Sequence, residues 1–289
     1  MSATVVTFPR GAVTGESAVV RVGEDAGGAV VILDATPFHP VDHTWPDQPG
    51  DAGVLRSPSG GGAEVRVVEA VMAATDAEGA LFVGTDIPVK RGTEGWTWLV
   101  AHRLDTDAPA WLVPGTAVTA EVDAARRAAL SRGHTACHLA SLALDLSLAD
   151  LWRKDPGADA LGTPDFEGRA NQSSRIHEDG AVDDYRLGKS LRKAGFDSAA
   201  FAESVAAREA RINELLAAWI ATGGAVEVAV DGPTIIDRRR WECELPEGHA
   251  SIPCGGTHAA SLADFASISV ALDVSDPQLL VMTTTATPR

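Results

Sequence analysis

The sequence predicts an α+β protein in two parts, a β-rich part over residues 1–120 and an α+β part over residues 121–289. Three observations carry this expectation. Before Pro114-Gly115, short apolar runs are punctuated by Gly, Pro and Asp clusters at turn-like spacing; after it, apolar residues recur with the period of a helix; nearer the end, runs alternate again like half-buried strands. At 289 residues the chain is also long for a single core, which favours two domains.

In chain order, "AVVRV", "AVVILDA", "AEVRVVEAVMA" and "ALFVG" read as strands of a small barrel or sandwich. The boundary is expected between residues 115 and 130, where "AEVDAARRAALSRGHTACHLASLALDL" begins an Ala- and Leu-rich helix. Residues 155–197 are rich in Gly, Asp and Ser and predict loops with short strands. In "DSAAFAESVAAREARINELLAAWIATGG" a second helix is clear, with Ser198 placed to cap it and Gly223-Gly224 to end it. "AVEVAV" (225–230) and "ASISVALDV" (266–274) then alternate as strands. The "SPSGGGA" turn is the one low-complexity piece, and no internal repeat is visible.

Composition narrows the function classes. With 45% hydrophobic residues the chain can bury a sizeable core, and it contains no run of about 18 apolar residues that would span a membrane. "MSATVVTFPR" lacks the marks of a signal peptide, and three cysteines (Cys137, Cys243, Cys254) make a disulfide framework improbable, so a soluble cytoplasmic protein is expected. A net charge of −16, spread as −8 on each side of residue 120, repels polyanions and argues against DNA as a partner. "RLGKSLRK" and "DRRR" are short basic clusters whose simplest reading is a solvated charge run.

The chemistry concentrates in two places. "HTACH" sets His134 and His138 four residues apart on one helix face, the separation at which two imidazoles can share a metal ion. "SIPCGGTH" sets Cys254 and His258 around Gly255-Gly256, where glycines allow positive φ and let thiolate and imidazole converge through a tight turn. Each motif alone also reads as ordinary structure: two polar helix residues, or a glycine turn with a buried cysteine. Together they form a borderline-to-soft donor set that suits Zn²⁺ better than Mg²⁺ or Ca²⁺. Cys137 faces away from that set and reads as packing, Thr135 as a helix-start residue, and Cys243 and His249 are too irregularly spaced for a second site. His177 reads as a solvated loop histidine. A third polar stretch, "FHPVDHTWPDQPGD" (38–51), crowds His39, His43, Asp42, Asp47 and Asp51 around Trp45-Pro46.

In this order, "QPGDAG" at 48–53, "HTACHL" at 134–139 and "CGGTH" at 254–258 resemble the editing domain of alanyl-tRNA synthetase and its free-standing AlaX-type relatives, a motif set shared with the threonyl-tRNA synthetase editing domain. The resemblance spans nearly the whole chain. It implies a β-barrel domain over 1–120, carrying a substrate-lining loop, followed by a zinc-binding α+β editing domain over 121–289. It further implies Zn²⁺ on His134, His138, Cys254 and His258, and Gln48 lining the pocket. The implied reaction is hydrolysis of serine or glycine mischarged on alanine tRNA, with the aminoacyl-tRNA acceptor end as partner. Backbone N–H groups of Gly255 or Gly256 are expected at the oxyanion. Because four protein ligands close a tetrahedral ion, His258 or His134 is expected to be loosely held or to transfer protons. The family carries three glycines before Gln-Pro where this chain has Trp45-Pro46-Asp47, and the "GGG" at 60–62 is no shifted copy. Trp45, Asp47 and His43, with Gln48, are thus the expected substrate-binding residues, His39, Asp42 and Asp51 shape the pocket or handle protons, and specificity is expected to depart from the relatives here. Hydrolysis of another small ester or amide, or a purely structural zinc in a binding module, are the alternatives.

Overall fold

Alternation and continuous apolar runs divide the first half into strands whose faces are covered to different extents. The computed structural model describes residues 2–57 and 63–289, so the Gly60-Gly61-Gly62 run lies outside the described residues. It is a mixed α+β structure with more strand than helix. The chain divides into two compact units: residues 1–127 with 230–239 and 255–257, and residues 128–229 with 240–254 and 258–289.

In the first unit, strands run as β1 (Val5–Val6), β2 (Thr14–Asp25), β3 (Gly28–Leu33), β4 (Ala35–Thr36), β5 (Gly53–Arg56), β6 (Glu64–Thr75), β7 (Leu81–Val83), β8 (Thr97–Leu104) and β9 (Ala117–Val122). Seven of them form one antiparallel sheet in the order β5-β9-β2-β3-β8-β6-β7, and a β5–β6 pairing closes six strands into a ring. Antiparallel ladders joined in this way leave few unpaired edges. "VVIL" in β3 is a continuous apolar run because both its faces are covered. Val31 and Leu33 pack with Phe38, Leu55, Val67 and Val100, while Val30 and Ile32 pack with Val71, Leu99 and Ala101. The same two-sided burial hides β8, "TWLVAHRL", from a search for alternation. Residues 230–239 return to this unit, where Val6 donates to Pro233 O at 2.8 Å and Ile235 to Thr4 O at 2.9 Å.

The "QPGDAG" segment is placed by close approach and by one buried ion pair. A Cβ on Gly50 would lie 1.8 Å from the Ala70 carbonyl oxygen, and one on Gly53 2.1 Å from that of Glu121, so only glycine fits either position. Asp51 is 1% exposed, accepts from the His39 N–H at 2.5 Å and pairs with Arg127, whose Nε lies 2.9 Å from Oδ1. Arg127 also donates to Pro37 O at 2.8 Å, so the carboxylate and guanidinium both have their bonding capacity largely met. Asp51 therefore fixes the loop, and its expected part in proton handling is replaced by a structural one.

The second unit contains α1 (Ala124–Leu148), whose first turn counts with the first unit, then α2 (Glu167–Ala170), β10 (Asn171–His177), β11 (Gly180–Arg186), α3 (Lys189–Ala194) and α4 (Ser198–Ala221). It closes with β12 (Val226–Val230), β13 (Arg239–Leu245), β14 (Gly248–Pro253), β15 (Phe265–Asp273) and β16 (Leu279–Pro288). One sheet runs β10-β11-β16-β15 and a second β12-β13-β14. The core gathers Leu139, Ala143 and Leu144 of α1, Phe201, Ile212, Leu216 and Trp219 of α4, and Tyr185, Trp241, Phe265 and Met282 of the strands. Asp197, not Ser198, caps α4, because its carboxylate accepts the Ala200 N–H at 3.2 Å. Gly223, at φ 63°, follows the helix end as expected. Among the described residues no helix is long and apolar enough to cross a membrane.

Candidate metal centre

Asp123 opens α1 by accepting the Arg126 N–H at 3.0 Å, which places "HTACH" well inside the helix rather than at its start. His134 and His138 thus stand one turn apart on a rigid element. Gly133 lets the helix meet the turn between β10 and β11: a Cβ there would lie 2.3 Å from the His177 carbonyl oxygen and 2.6 Å from that of Gly180. Cys254 follows β14 directly, and the chain returns at His258.

These four side chains converge. One ligand atom from each of His134, His138, Cys254 and His258 lies within 4.8 Å of the others, and among the described residues this is the one His/Cys/Asp/Glu group able to hold an ion. Cys254 Sγ is 3.4 Å from His134 Nε2 and 3.3 Å from His258 Nε2. A sulfur and a nitrogen bound to one tetrahedral zinc stand about 3.5 Å apart, so the spacing fits a shared ion. The three imidazole centroids are separated by 4.5 to 5.1 Å, and the Trp241 ring lies 5.2 Å from that of His138.

His138 Nε2 is buried with no hydrogen-bond partner among the described residues, an arrangement that costs free energy unless the lone pair is taken up. Burial lowers His134 to about 4 and His138 well below its ordinary value, the latter also through His134. Both rings are therefore neutral at pH 7, with lone pairs available for coordination. The donor set, the spacing and the unbonded nitrogen together fit a metal ion.

Thr135 departs from the sequence expectation. It is fully buried, its Oγ1 accepts the Ala259 N–H at 3.0 Å, and it lies 3.3 Å from His258 Nδ1. With Nε2 turned to the sulfur, Nδ1 is the nitrogen left to donate, so Thr135 fixes the tautomer and the ring plane of His258. Its one signal in the sequence is its place beside His134, since the helix face it occupies depends on where α1 begins.

Cys137 does face elsewhere: its Sγ is 3.5 Å from Asp183 Oδ1, and it packs with Ile176 and Ala181. Cys243 is buried with its thiol pushed up to about 11, while His249 is exposed and bonds Glu244 at 2.8 Å. The "DRRR" cluster is not a uniform solvated run. Arg239 is 6% exposed, donates to Ile235 O at 2.7 Å and lies over the Phe8 ring, although Arg240 is exposed on Ser251. His177 is exposed, as expected for a loop-end histidine.

The remaining candidates belong to the first unit, together with Gly255, Gly256 and Thr257, the three residues between Cys254 and His258 in the chain. Gln48 is 1% exposed and holds Thr257 twice: its Nε2 donates to Thr257 Oγ1 at 2.8 Å, and its Oε1 accepts the Thr257 N–H at 3.0 Å. Gly255 does not use the positive φ that glycine allows it. Trp45 is 47% exposed, whereas Asp47 is half-buried and His43 has a side chain only 3% exposed. Asp42 is committed within its own loop, accepting from Thr44 N at 2.7 Å and Thr44 Oγ1 at 2.6 Å. Burial raises its carboxyl, but these bonds and Arg91 outweigh that and hold it below the usual range, which makes it a poor base. Sequence reading misses Arg91, 3.6 Å from Asp42, because a lone arginine in a loop carries no pattern.

No family model matches the chain, and no curated protein matches it either.

Proposed function

We propose that the protein is a zinc-dependent hydrolase of the alanyl-tRNA editing type, removing serine or glycine from mischarged alanine tRNA. The observation that carries this reading is the donor set of three neutral or coordinating imidazoles and one thiol, with the residue before the last of them clasped by Gln48. The ring of six strands is read as the barrel that carries the Gln48 loop.

His134, His138, Cys254 and His258 would hold the ion. When bound, zinc supplies Lewis acidity that polarises an ester carbonyl and eases deprotonation of water. The chain contributes the rest. Thr135 keeps His258 in one orientation, Gln48 fixes Thr257 through both backbone and side chain, and the N–H groups of Gly255 and Gly256 serve as the oxyanion donors.

The test is deacylation of Ser-tRNA and Ala-tRNA, both on alanine tRNA, by the purified protein and by Cys254→Ala, with zinc measured in each. Selective loss of serine, abolished in Cys254→Ala together with the zinc, is expected. Zinc-loaded protein that leaves both substrates intact refutes the reading. A second reading, hydrolysis of another small ester or amide, is favoured by Trp45-Pro46-Asp47 standing where the family has glycine, and predicts turnover of small substrates without tRNA.

A further inference from the structure

The "RLGKSLRK" run at 186–193 takes no part in the metal centre, yet it holds four cations and no acidic residue on a chain of net charge −16. The whole sequence contains four lysines, Lys90, Lys154, Lys189 and Lys193, and the last two lie in this run. The fold brings a third, Lys154, beside them.

These charges are gathered and fixed within the second unit. α3 turns Leu191 inward at 2% exposed, between the buried Leu187 and Phe196, so Lys189, Arg192 and Lys193 share its outward face at i, i+3 and i+4. The chain that follows α1 runs alongside. Asp197 N–H donates to Leu151 O at 2.9 Å, Arg153 N–H to Gly195 O at 2.9 Å, and Lys154 Nζ to Lys193 O at 3.2 Å. Gly195, at φ 112°, closes α3 so tightly that a Cβ on it would lie 2.8 Å from that of Lys154. Arg186 ends β11 and lies against Gly188, where a Cβ would meet its Nε at 3.2 Å. Lys154, Arg186, Lys189, Arg192 and Lys193 are all exposed.

Their pairing sets them apart from the other cations. Arg56, Arg103, Arg127, Arg132, Arg175 and Arg208 each meet a carboxylate. Among the described residues none of these five does. The acids that flank them in the chain are engaged: Asp197 pairs with Arg153 and caps α4, and Asp155 accepts the Gly157 N–H at 2.8 Å. Like charges at this helical spacing repel one another, and an anion that spans them relieves the repulsion.

The place of this face along α1 sets the size of such an anion. At about 1.5 Å per residue, Leu148 stands about 15 Å beyond His138, and Arg153-Lys154 follow after the short Ala149–Leu151 turn. A ligand whose reacting end is at the metal centre reaches the face only with a strand of about five nucleotides or more, at about 3.4 Å each.

We propose that Lys154, Arg186, Lys189, Arg192 and Lys193 form a docking surface for the phosphodiester backbone of RNA. The choice of RNA among polyanions rests on the hydrolase reading above; the surface, and the length of strand it requires, are additions to that reading. The guanidinium forks of Arg186 and Arg192 match phosphate oxygens two at a time, and the lysines add point charges. The acidic remainder of the molecule turns a polyanion toward this one face.

Fluorescence anisotropy of the zinc-loaded protein with a labelled, unacylated RNA hairpin bearing a single-stranded 3′ end tests the proposal. One variant combines Lys189→Gln, Arg192→Gln and Lys193→Gln; a control combines Arg10→Gln, Arg66→Gln and Arg211→Gln, which removes the same charge from other exposed positions. The first is expected to bind about tenfold more weakly or worse, with the slope of log affinity against log salt reduced by about 2, the share of three phosphate contacts on a single strand. The control is expected to stay within about twofold of wild type, and zinc content and melting temperature to be unchanged in both. Equal loss in the two variants, no binding by the wild type, or poly-glutamate or phosphatidylserine vesicles bound as tightly through the same residues overturns the proposal. Deacylation is scored separately. RNA binding through this face by a protein that deacylates nothing refutes the hydrolase reading alone, and deacylation whose KM is unchanged in the first variant refutes the docking surface alone.

Discussion

At the scale of single residues, the centre depends on orientation as much as on ligand identity. Cys254→Ser keeps a donor of similar size but exchanges a thiolate for a hydroxyl that remains protonated, and it is expected to reduce bound zinc from one per chain to a small fraction, read by elemental analysis. Thr135→Val removes the hydroxyl that faces His258 Nδ1 at 3.3 Å while preserving shape. It is expected to weaken zinc affinity about 10- to 100-fold in competition with a chelator. His134, His138, Cys254 and His258 are legible in sequence because their spacings state the geometry directly. Thr135 and Arg91 are not, because each acts through a neighbour that only the folded chain supplies.

Among the elements, α1 does the most positioning. It crosses the turn between β10 and β11 at Gly133, so Gly133→Ala would drive a methyl group into two backbone carbonyls. Overpacking of this kind costs about 1–3 kcal/mol and more when backbone must move, and it is expected to lower both the melting temperature and zinc affinity, since His134 is the next residue. Both long helices announce themselves by period, yet their starts do not: Asp197 caps α4 one residue before the expected Ser198. Strands are legible where one face is wet, as in β15, whose burial alternates in its middle. β8 escapes because Trp98 to His102 are buried on both faces, and β13 because its alternation is masked by a charge run, "DRRRWECEL", with Arg239 in fact inside. Gly255 shows that a glycine in a turn permits left-handed backbone without requiring it.

For the whole molecule, buried histidines and buried carboxyls respond to pH in opposite directions. In the first unit burial lowers His102 to about 4, against the Val31 bond that raises it. A depressed histidine stabilises the fold fully above about 6.5, and that contribution is lost as pH falls from 6.5 through 4, at most about 3 kcal/mol. In the second unit burial raises Glu167 to about 7, against its bonds to Tyr185 and Asn171. Its contribution is present below about 4.5 and is lost as pH rises through 7. His102→Gln is therefore expected to flatten the acid side of a melting-temperature profile, and Glu167→Gln the neutral side. The fold class and the order of the motifs are readable from the chain, whereas the return of residues 230–239 and 255–257 to the first unit is not, because it rests on long-range backbone pairing such as Ile235 with Thr4. The central claim is that His134, His138, Cys254 and His258 share one zinc ion, and X-ray absorption at the zinc edge of purified protein tests it most directly. The account predicts one zinc per chain with a single sulfur neighbour at about 2.3 Å and three imidazole nitrogens at about 2.0 Å. A spectrum without sulfur, or with two or more sulfurs, contradicts it.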